Sequence, residues 1–380
     1  MITARPGSHT HRILQLLSAS GEFPASALPL LGNGRVLAAL VHKLESAQDI
    51  RLGKDGPVHH VKLLQASGKG GDRTIRLYKK GLPVLDGLHP GLLDWYLAAF
   101  NNHNFTGDRF HIWRNHRVAE ALAMCMSANI EARPYALEPL QKSRIGRIVP
   151  GGASFYVSRY FKKTGADGAN KTMYTRIVGA LFHPGGCYAV YNTRGAIMKW
   201  SGRGEIKALN NLLELARMNA GLGEVGGAIL FGKGAGAALD TILESDKGRR
   251  ADLRFDQIYK TIHFVPLDQS GIRLLKLLVL PDWNWRLLGA LFSPSQRSYN
   301  RGSMEYDAIV GGRKILSHLD GDIARLIRFR EALCANHEPA DVLCYPWQTG
   351  PLRAYLGKLA GIRELGMEAV EAIFKGEAST

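Results

Sequence analysis

The strongest chemical signal in the chain is a run of cations. Residues 51–80 carry Arg51, Lys54, Lys62, Lys69, Arg73, Arg76, Lys79 and Lys80 against Asp55 and Asp72 alone. Ammonium and guanidinium groups at this density neutralise phosphates, and the counterions released on contact supply much of the affinity for nucleic acid. Gly68, Gly70 and Gly71 lie inside the run, where a missing Cβ lets backbone approach a phosphate. The same sign extends over the whole molecule: 49 Lys and Arg face 33 Asp and Glu in 380 residues, a formal charge of +16. An excess of this size predicts a polyanionic partner.

Other chemistries are less well furnished. A metal-dependent nuclease places two carboxylates and a Lys on a central hairpin and strand, the acids holding Mg²⁺ and the Lys polarising the attacking water. The central hairpin expected here, residues 177–193, offers His183 at its turn and Tyr191-Asn192-Thr193 at its strand end. Neutral groups hold a hard dication poorly. Glu205 and Lys207 are two apart and leave a helix start on different faces. Asp320 and Asp322 are the available substitutes, although Asp322 also suits a helix N-cap. The His-x-His cluster of a tyrosine relaxase is matched in spacing only by His9-Thr10-His11, at an N-terminus expected to fray. Gly232-Lys233-Gly234-Ala235-Gly236 follows a strand and opens a helix, yet fits neither GxGxxG nor GxxxxGK[ST], so it reads as a flexible turn. His111 and His116 are five apart, whereas i, i+4 spacing puts two ligands on one helical face. Cys125, Cys187, Cys334 and Cys344 include no CxxC pair and are expected as small buried side chains of a reducing compartment. No cofactor is expected, Mg²⁺ excepted if nuclease chemistry operates.

The elements that must position the cations can be read in order. Ile13, Leu14, Leu16 and Leu17 predict a helix over 11–18, ended by Ser20-Gly21. A short second helix is expected over 25–31. Val36, Leu37, Leu40, Val41 and Leu44 give a third helix over 35–46 one apolar stripe, with Arg35, Ala38, His42, Lys43 and Glu45 on the opposite face. Strand-like runs at 58–65 and 73–78 enclose the glycine-rich segment as a basic hairpin. Three helices followed by a hairpin is the layout of a winged helix-turn-helix, whose third helix enters the major groove while the hairpin tip touches neighbouring phosphates.

Residues 1–87 are therefore expected to form that module, 88–143 a helical connector, and 144–380 an α/β domain with a mixed sheet. Helices are expected in the connector at 88–102 and 114–129. Beyond it, strands at 177–182, 187–192, 228–231, 261–266 and 341–347 alternate with helices at 205–218, 237–245, 271–280, 322–334 and 351–361, around a hairpin at 306–316. A turn-rich loop is expected over 164–170, and a frayed tail over 376–380. The overall class is α+β, grading into α/β. The residues expected on double-stranded DNA are Arg35, Ala38, His42 and Lys43 of the third helix, Lys62, Lys69, Arg73, Arg76, Lys79 and Lys80 of the hairpin, and Arg114 and Arg117 of the connector. No run of about 20 apolar residues predicts a membrane span, and the N-terminus lacks the apolar core of a secretory signal. A cytoplasmic setting is expected.

The closure Leu77-Tyr78-Lys79-Lys80-Gly81, the helical His116-Arg117-Val118-Ala119-Glu120 and the α/β region that follows resemble, in that order, the replication-relaxation family of plasmids and conjugative elements. The likeness covers residues 9–210. It implies a DNA-binding protein of plasmid replication or mobilisation, with a homodimer or other replication and mobilisation proteins as further partners. Some members are similar to relaxases whose second domain is restriction-endonuclease-like. That pattern wants Asp and then Glu-x-Lys on the hairpin, where this chain has His183 and Tyr191-Asn192-Thr193, so a degenerate form of that domain is what the resemblance implies. The rival functions are a metal-dependent DNA-nicking enzyme and a protein-binding scaffold.

Overall fold

In the computed structural model, residues 1–53, 56–105, 107–137, 152–161, 176–196, 203–220, 222, 225–243, 255–298 and 304–375 are described. Lys54, the loop expected over 164–170 and the tail over 376–380 lie outside them.

The chain opens with β1 (Ile2–Ala4), which pairs in parallel with a later strand instead of fraying. Ser8 then caps α1 (His9–Ser20), its Oγ accepting from the His11 amide at 3.3 Å. Gly21 ends the helix at φ +76°, and a Cβ there would stand 2.5 Å from the Phe100 ring. β2 (Glu22–Pro24) leads into a 3-10 helix (Ala25–Leu31) and α2 (Gly34–Leu44), whose cap is Asn33. Three strands come next, β3 (Gln48–Leu52), β4 (Val58–Val61) and β5 (Leu64–Ser67), and then β6 (Thr74–Leu77). Two small sheets result, β1-β3-β4 and the antiparallel β2-β6-β5. The single strand expected over 58–65 is thus two strands in two sheets, divided at Lys62-Leu63. Leu63 is buried and turns the chain from β3 towards β6.

A second 3-10 helix (Lys79–Gly87) and α3 (Leu92–Ala99) precede the long α4 (Arg109–Ser127). Asp108 caps α4 through the Phe110 amide, so the helix starts five residues before the periodicity at Arg114. Its second half, Ala119-Glu120-Ala121-Leu122-Ala123-Met124-Cys125, is buried all round. Small side chains let it pack closely on β2, the first 3-10 helix and α1.

The remaining chain builds two mixed sheets on one plan. β7 (Ser154–Val157), the short α5 (Ser158–Phe161), β8 (Gly179–His183) and β9 (Gly186–Arg194) form an antiparallel run. α6 (Arg203–Ala220) crosses to β10 (Gly227–Gly232), and α7 (Ala235–Leu243) and α8 (Phe255–Ile258) cross to β11 (Ile262–Pro266), both strands parallel to β9. After α9 (Gln269–Leu278) and α10 (Trp283–Leu291), the hairpin of β12 (Ala308–Val310) and β13 (Arg313–Ser317) opens the second sheet. α11 (Ile323–Asn336) crosses to β14 (Ala340–Cys344), and α12 (Thr349–Leu356) to β15 (Gly361–Glu364), again in parallel. α13 (Met367–Lys375) closes the described chain.

Side chains alternate across the first of these sheets. Val190, Ile229, Phe231 and Val265 join one apolar cluster with Leu14, Leu77, Tyr96, Leu122 and Leu275. Tyr191, Leu230 and Phe264 join another with Leu212, Leu326 and Val342. α4 and α9 lie against the first face, so the connector is built into the core between the N-terminal sheets and the central one. The molecule is mixed α+β with four small sheets among the described residues. No helix among them is long and apolar enough to cross a membrane.

Within the N-terminal unit Glu22 is buried and accepts from Arg76 Nε at 2.6 Å and from Asn115 Nδ2, joining β2, β6 and α4. Removing one partner of a buried charge pair leaves the other unpaired, at a cost of about 3–5 kcal/mol. Glu22→Ala is therefore expected to lower unfolding stability by about that amount, measured by urea denaturation.

Candidate nucleic-acid interface

α2 buries Leu37, Val41 and Leu44 and turns the other face outward. Arg35, Ala38, His42 and Lys43 are exposed along it, together with Ala39 and with Val36, half of whose surface is open. Val36 was expected in the apolar stripe; it sits one step beyond the arc that reaches the 3-10 helix and β5. The hairpin tip, residues 67–73, is exposed throughout, Lys69 and Arg73 included.

Glu45 fixes the hairpin against α2. Its carboxylate accepts from the Ala66 amide at 3.0 Å and from Arg73 Nη2 at 3.0 Å, so one side chain at the C-terminus of α2 holds both legs. The periodicity had put Glu45 on the solvent face. It is instead half-buried, because the hairpin folds back across the helix end. A second tie runs to α4: Thr74 Oγ1 lies 3.0 Å from His116 Nε2, and Arg109 pairs with Asp72 at 3.7 Å. Arg109 also stacks on Trp113 at 4.4 Å, beside the exposed Phe110.

The other expected cations divide. Lys79 and Lys80 are exposed. Lys62 is half-buried, its Nζ 4.8 Å from the centre of the Tyr78 ring. Arg76 is committed to Glu22 and to the Phe105 ring, so its charge is spent inside the module. Arg114 and Arg117 are partly buried on α4; Arg114 Nη2 and Arg117 Nε have no hydrogen-bond partner among the described residues.

Sequence reasoning passed over Glu120. This carboxylate is almost fully buried on α4 and meets the end of β9. Asn192 Nδ2 donates to one oxygen at 3.0 Å and Arg194 Nε to the other at 3.0 Å. Burial pushes its pKa up, while Arg194 and the Asn192 bond pull the other way. Asn192 Nδ2 also donates to the Arg117 carbonyl at 3.0 Å, which fixes α4 against β9. The one available signal, the His-Arg-x-x-Glu run, marked the helix but not the strand it would meet.

The remaining nuclease candidates have structural work. His183 is buried and stacked on Tyr188, and the Tyr191 hydroxyl lies 2.8 Å from that of Tyr259. Asp322 caps α11 through the Ala324 and Arg325 amides and also accepts from the Ile262 amide. Asp320 accepts from the Asp322 amide. Glu205 is buried while Lys207 is exposed. His9 and His11 belong to the first turns of α1. His111 bonds Asp108 at 2.6 Å while His116 turns to Thr74, so the two rings diverge. No group of three His, Cys, Asp or Glu among the described residues could hold a metal. Cys125, Cys187 and Cys344 are buried; Cys334, on the outer side of α11, is exposed.

No protein-family model, no curated protein and no solved structure matches the chain.

Burial lowers the pKa of His116 to about 4, helped by Arg194, and that of His183 to about 4. His318 falls to about 3 for the same reason. In the unfolded chain these imidazoles protonate near their ordinary value, so the stability that depends on their neutrality is present above about pH 6.5 and lost as pH falls below it. Urea denaturation at pH 5 is expected to give a stability lower than at pH 7 by about 1–2 kcal/mol per imidazole, with His116→Gln removing one such share.

Proposed function

We propose that the chain binds double-stranded DNA through a winged helix, with α2 in the major groove and the 67–73 hairpin on flanking phosphates. The observation that carries this reading is the open face of α2, with Arg35, Ala38, His42 and Lys43, beside an exposed cationic tip. The order α1, β2, 3-10 helix, α2, then β5 and β6 after an inserted β3–β4 pair, with β6 between β2 and β5, supports it as the layout of such a module. The setting proposed is the cytoplasm and the replication or mobilisation of a plasmid or conjugative element, as in the replication-relaxation family the sequence resembles. A scaffold built on the module would bury the third helix against the second domain, and the exposed face of α2 favours DNA instead.

Arg35→Ala and Lys43→Ala are expected to weaken binding to a cognate site by about 1–3 kcal/mol each, and to weaken binding to random duplex less. Lys69→Ala should weaken both equally and make the salt dependence shallower by about one unit of log–log slope. Gel shifts over a salt series decide the matter, and unchanged affinity in all three variants defeats the assignment.

A second reading, DNA nicking, has one observation in its favour. A helix, three antiparallel strands, a crossover helix and a parallel strand (α4, β7-β8-β9, α6, β10), with the short α5 inserted after β7, follow the order of a restriction-endonuclease-like core, and Glu120 stands at the end of β9. Against it, Asn192 and Arg194 already occupy both Glu120 oxygens. A degenerate core that grips DNA without cutting is the reading adopted. Supercoiled plasmid carrying the cognate site is expected to stay closed with Mg²⁺ or Mn²⁺, and open circles that vanish in Glu120→Gln would restore the enzyme.

A further inference from the structure

We propose that the carboxyl ends of β9 and β10 form a phosphate-binding site built on Arg194 and Lys233 beside Glu120, with Arg117 and Arg176 as neighbouring cations. The proposal deepens the DNA-binding reading and rests on it for the source of the phosphate. In sequence alone Gly232-Lys233-Gly234 reads as a flexible turn. What changes its meaning is what the fold brings beside it.

A bulge at the end of the β9–β10 ladder sets Arg194 opposite Gly232. Arg194 is held at φ +58°, its amide donating to Asn192 Oδ1 at 2.9 Å. The Lys233 amide donates to the Arg194 carbonyl at 2.6 Å, so the two residues are held side by side where β9 and β10 end. Arg176 lies three residues before β8, and Arg117 lies on α4 with its Nε buried and without a hydrogen-bond partner among the described residues. The Arg117 guanidinium feels the positive charge of both Arg176 and Arg194, and Glu120 feels that of Arg194 and Lys233.

Among the described residues, Glu120 thus lies near Arg194, Lys233 and Arg117, and Arg117 in turn near Arg176. A simple structural ion pair needs only Arg194. Like charges gathered at a partly desolvated strand end are unfavourable until an anion joins them, and phosphate is the anion a set of guanidinium and ammonium groups suits. The approach is open: Lys233 and Arg176 are exposed, and a Cβ added at Gly234 or Gly236 would meet nothing within 4 Å.

The site also lies on the path from the wing. His116, bonded to Thr74, feels both Asp72 of the hairpin and Arg194 of the site. Along α4, the eight residues from Arg109 at the tip to Arg117 span about 12 Å. One duplex can reach both.

The test uses the full chain and three proteins: wild type, Lys233→Ala, and the double variant Arg176→Ala/Lys233→Ala. Both side chains are exposed, so melting temperatures should agree. Calorimetric titration with inorganic pyrophosphate is expected to show binding that falls in the single variant and drops about tenfold or more in the double. In the DNA arm, the double variant should make the salt dependence of random-duplex affinity shallower by about two units of log–log slope. Loss in both arms assigns the site to DNA phosphate. Loss of pyrophosphate binding with an unchanged salt slope keeps the site and assigns it to a free phosphate-bearing molecule. Pyrophosphate binding that is absent, or equal in all three proteins, overturns the proposal. Arg35→Ala and Lys43→Ala report on α2 alone, so the DNA reading can fail while the phosphate site stands.

Discussion

The contact on which the architecture turns is the buried carboxylate of Glu120. An ionised carboxyl taken out of water costs several kcal/mol unless its oxygens are matched. Here Asn192 and Arg194 match them, and both residues belong to the end of β9. The requirement is mutual. Arg194 adopts a left-handed backbone that a non-glycine residue rarely holds without support, and Asn192 supplies it through the Arg194 amide. α4 cannot slide or rotate on the central sheet without stranding Glu120, and the sheet end cannot relax without losing its counter-ion.

Through α4 this constraint reaches the N-terminal module. The same helix carries His116 against Thr74, Asn115 against Glu22 and Arg109 against Asp72. The base of the hairpin and its tip are therefore referenced to a helix that is itself anchored to the central sheet. Glu45 adds the third reference, tying both hairpin legs to the end of α2. Cationic residues in the module consequently have two fates. Arg73 and Arg76 are engaged by carboxylates and shape the hairpin. Arg35, Lys43, Lys69, Lys79 and Lys80 are exposed and set its outward potential.

Local patterns made much of this legible. The apolar spacing of Leu37, Val41 and Leu44 located α2, and the segments IVGALF and CYAVYN around His183-Pro184-Gly185-Gly186 located the β8–β9 hairpin. Asp322 was readable as a cap because a short acceptor before an apolar run has few other uses. What could not be read depends on partners distant in sequence. β1 is three residues long and becomes a strand only by pairing with β3. Val58–Gln65 has unbroken strand character, and only the competition between β3 and β6 for its two halves divides it. Arg76 looks like any other hairpin cation until Glu22, fifty-four residues away, is placed opposite it. Glu120 sits in an alanine-rich helix, and nothing local says that its partner is the end of a strand more than seventy residues on.

The two mixed sheets share a plan and differ in the charge at their strand ends. The first opens with three antiparallel strands and the second with an antiparallel pair, and each continues with two parallel crossovers. Beyond β13 the corresponding strand end is acidic and closed. Asp307 accepts from the Ser317 amide and from Arg325, and Asp322 is filled by three backbone amides. His263 Nδ1 lies 3.0 Å from the Asp320 carbonyl. Every acid there has an internal partner, so that end serves to join the second sheet to β11, which it meets at His263 and Asp322. Beyond β9 the balance is reversed among the described residues: Arg194 and Lys233 lie near Glu120, and Arg176 and Lys233 are exposed. The imbalance sits on the side of the molecule that carries the hairpin, where a polyanion bound by α2 and the tip would lie.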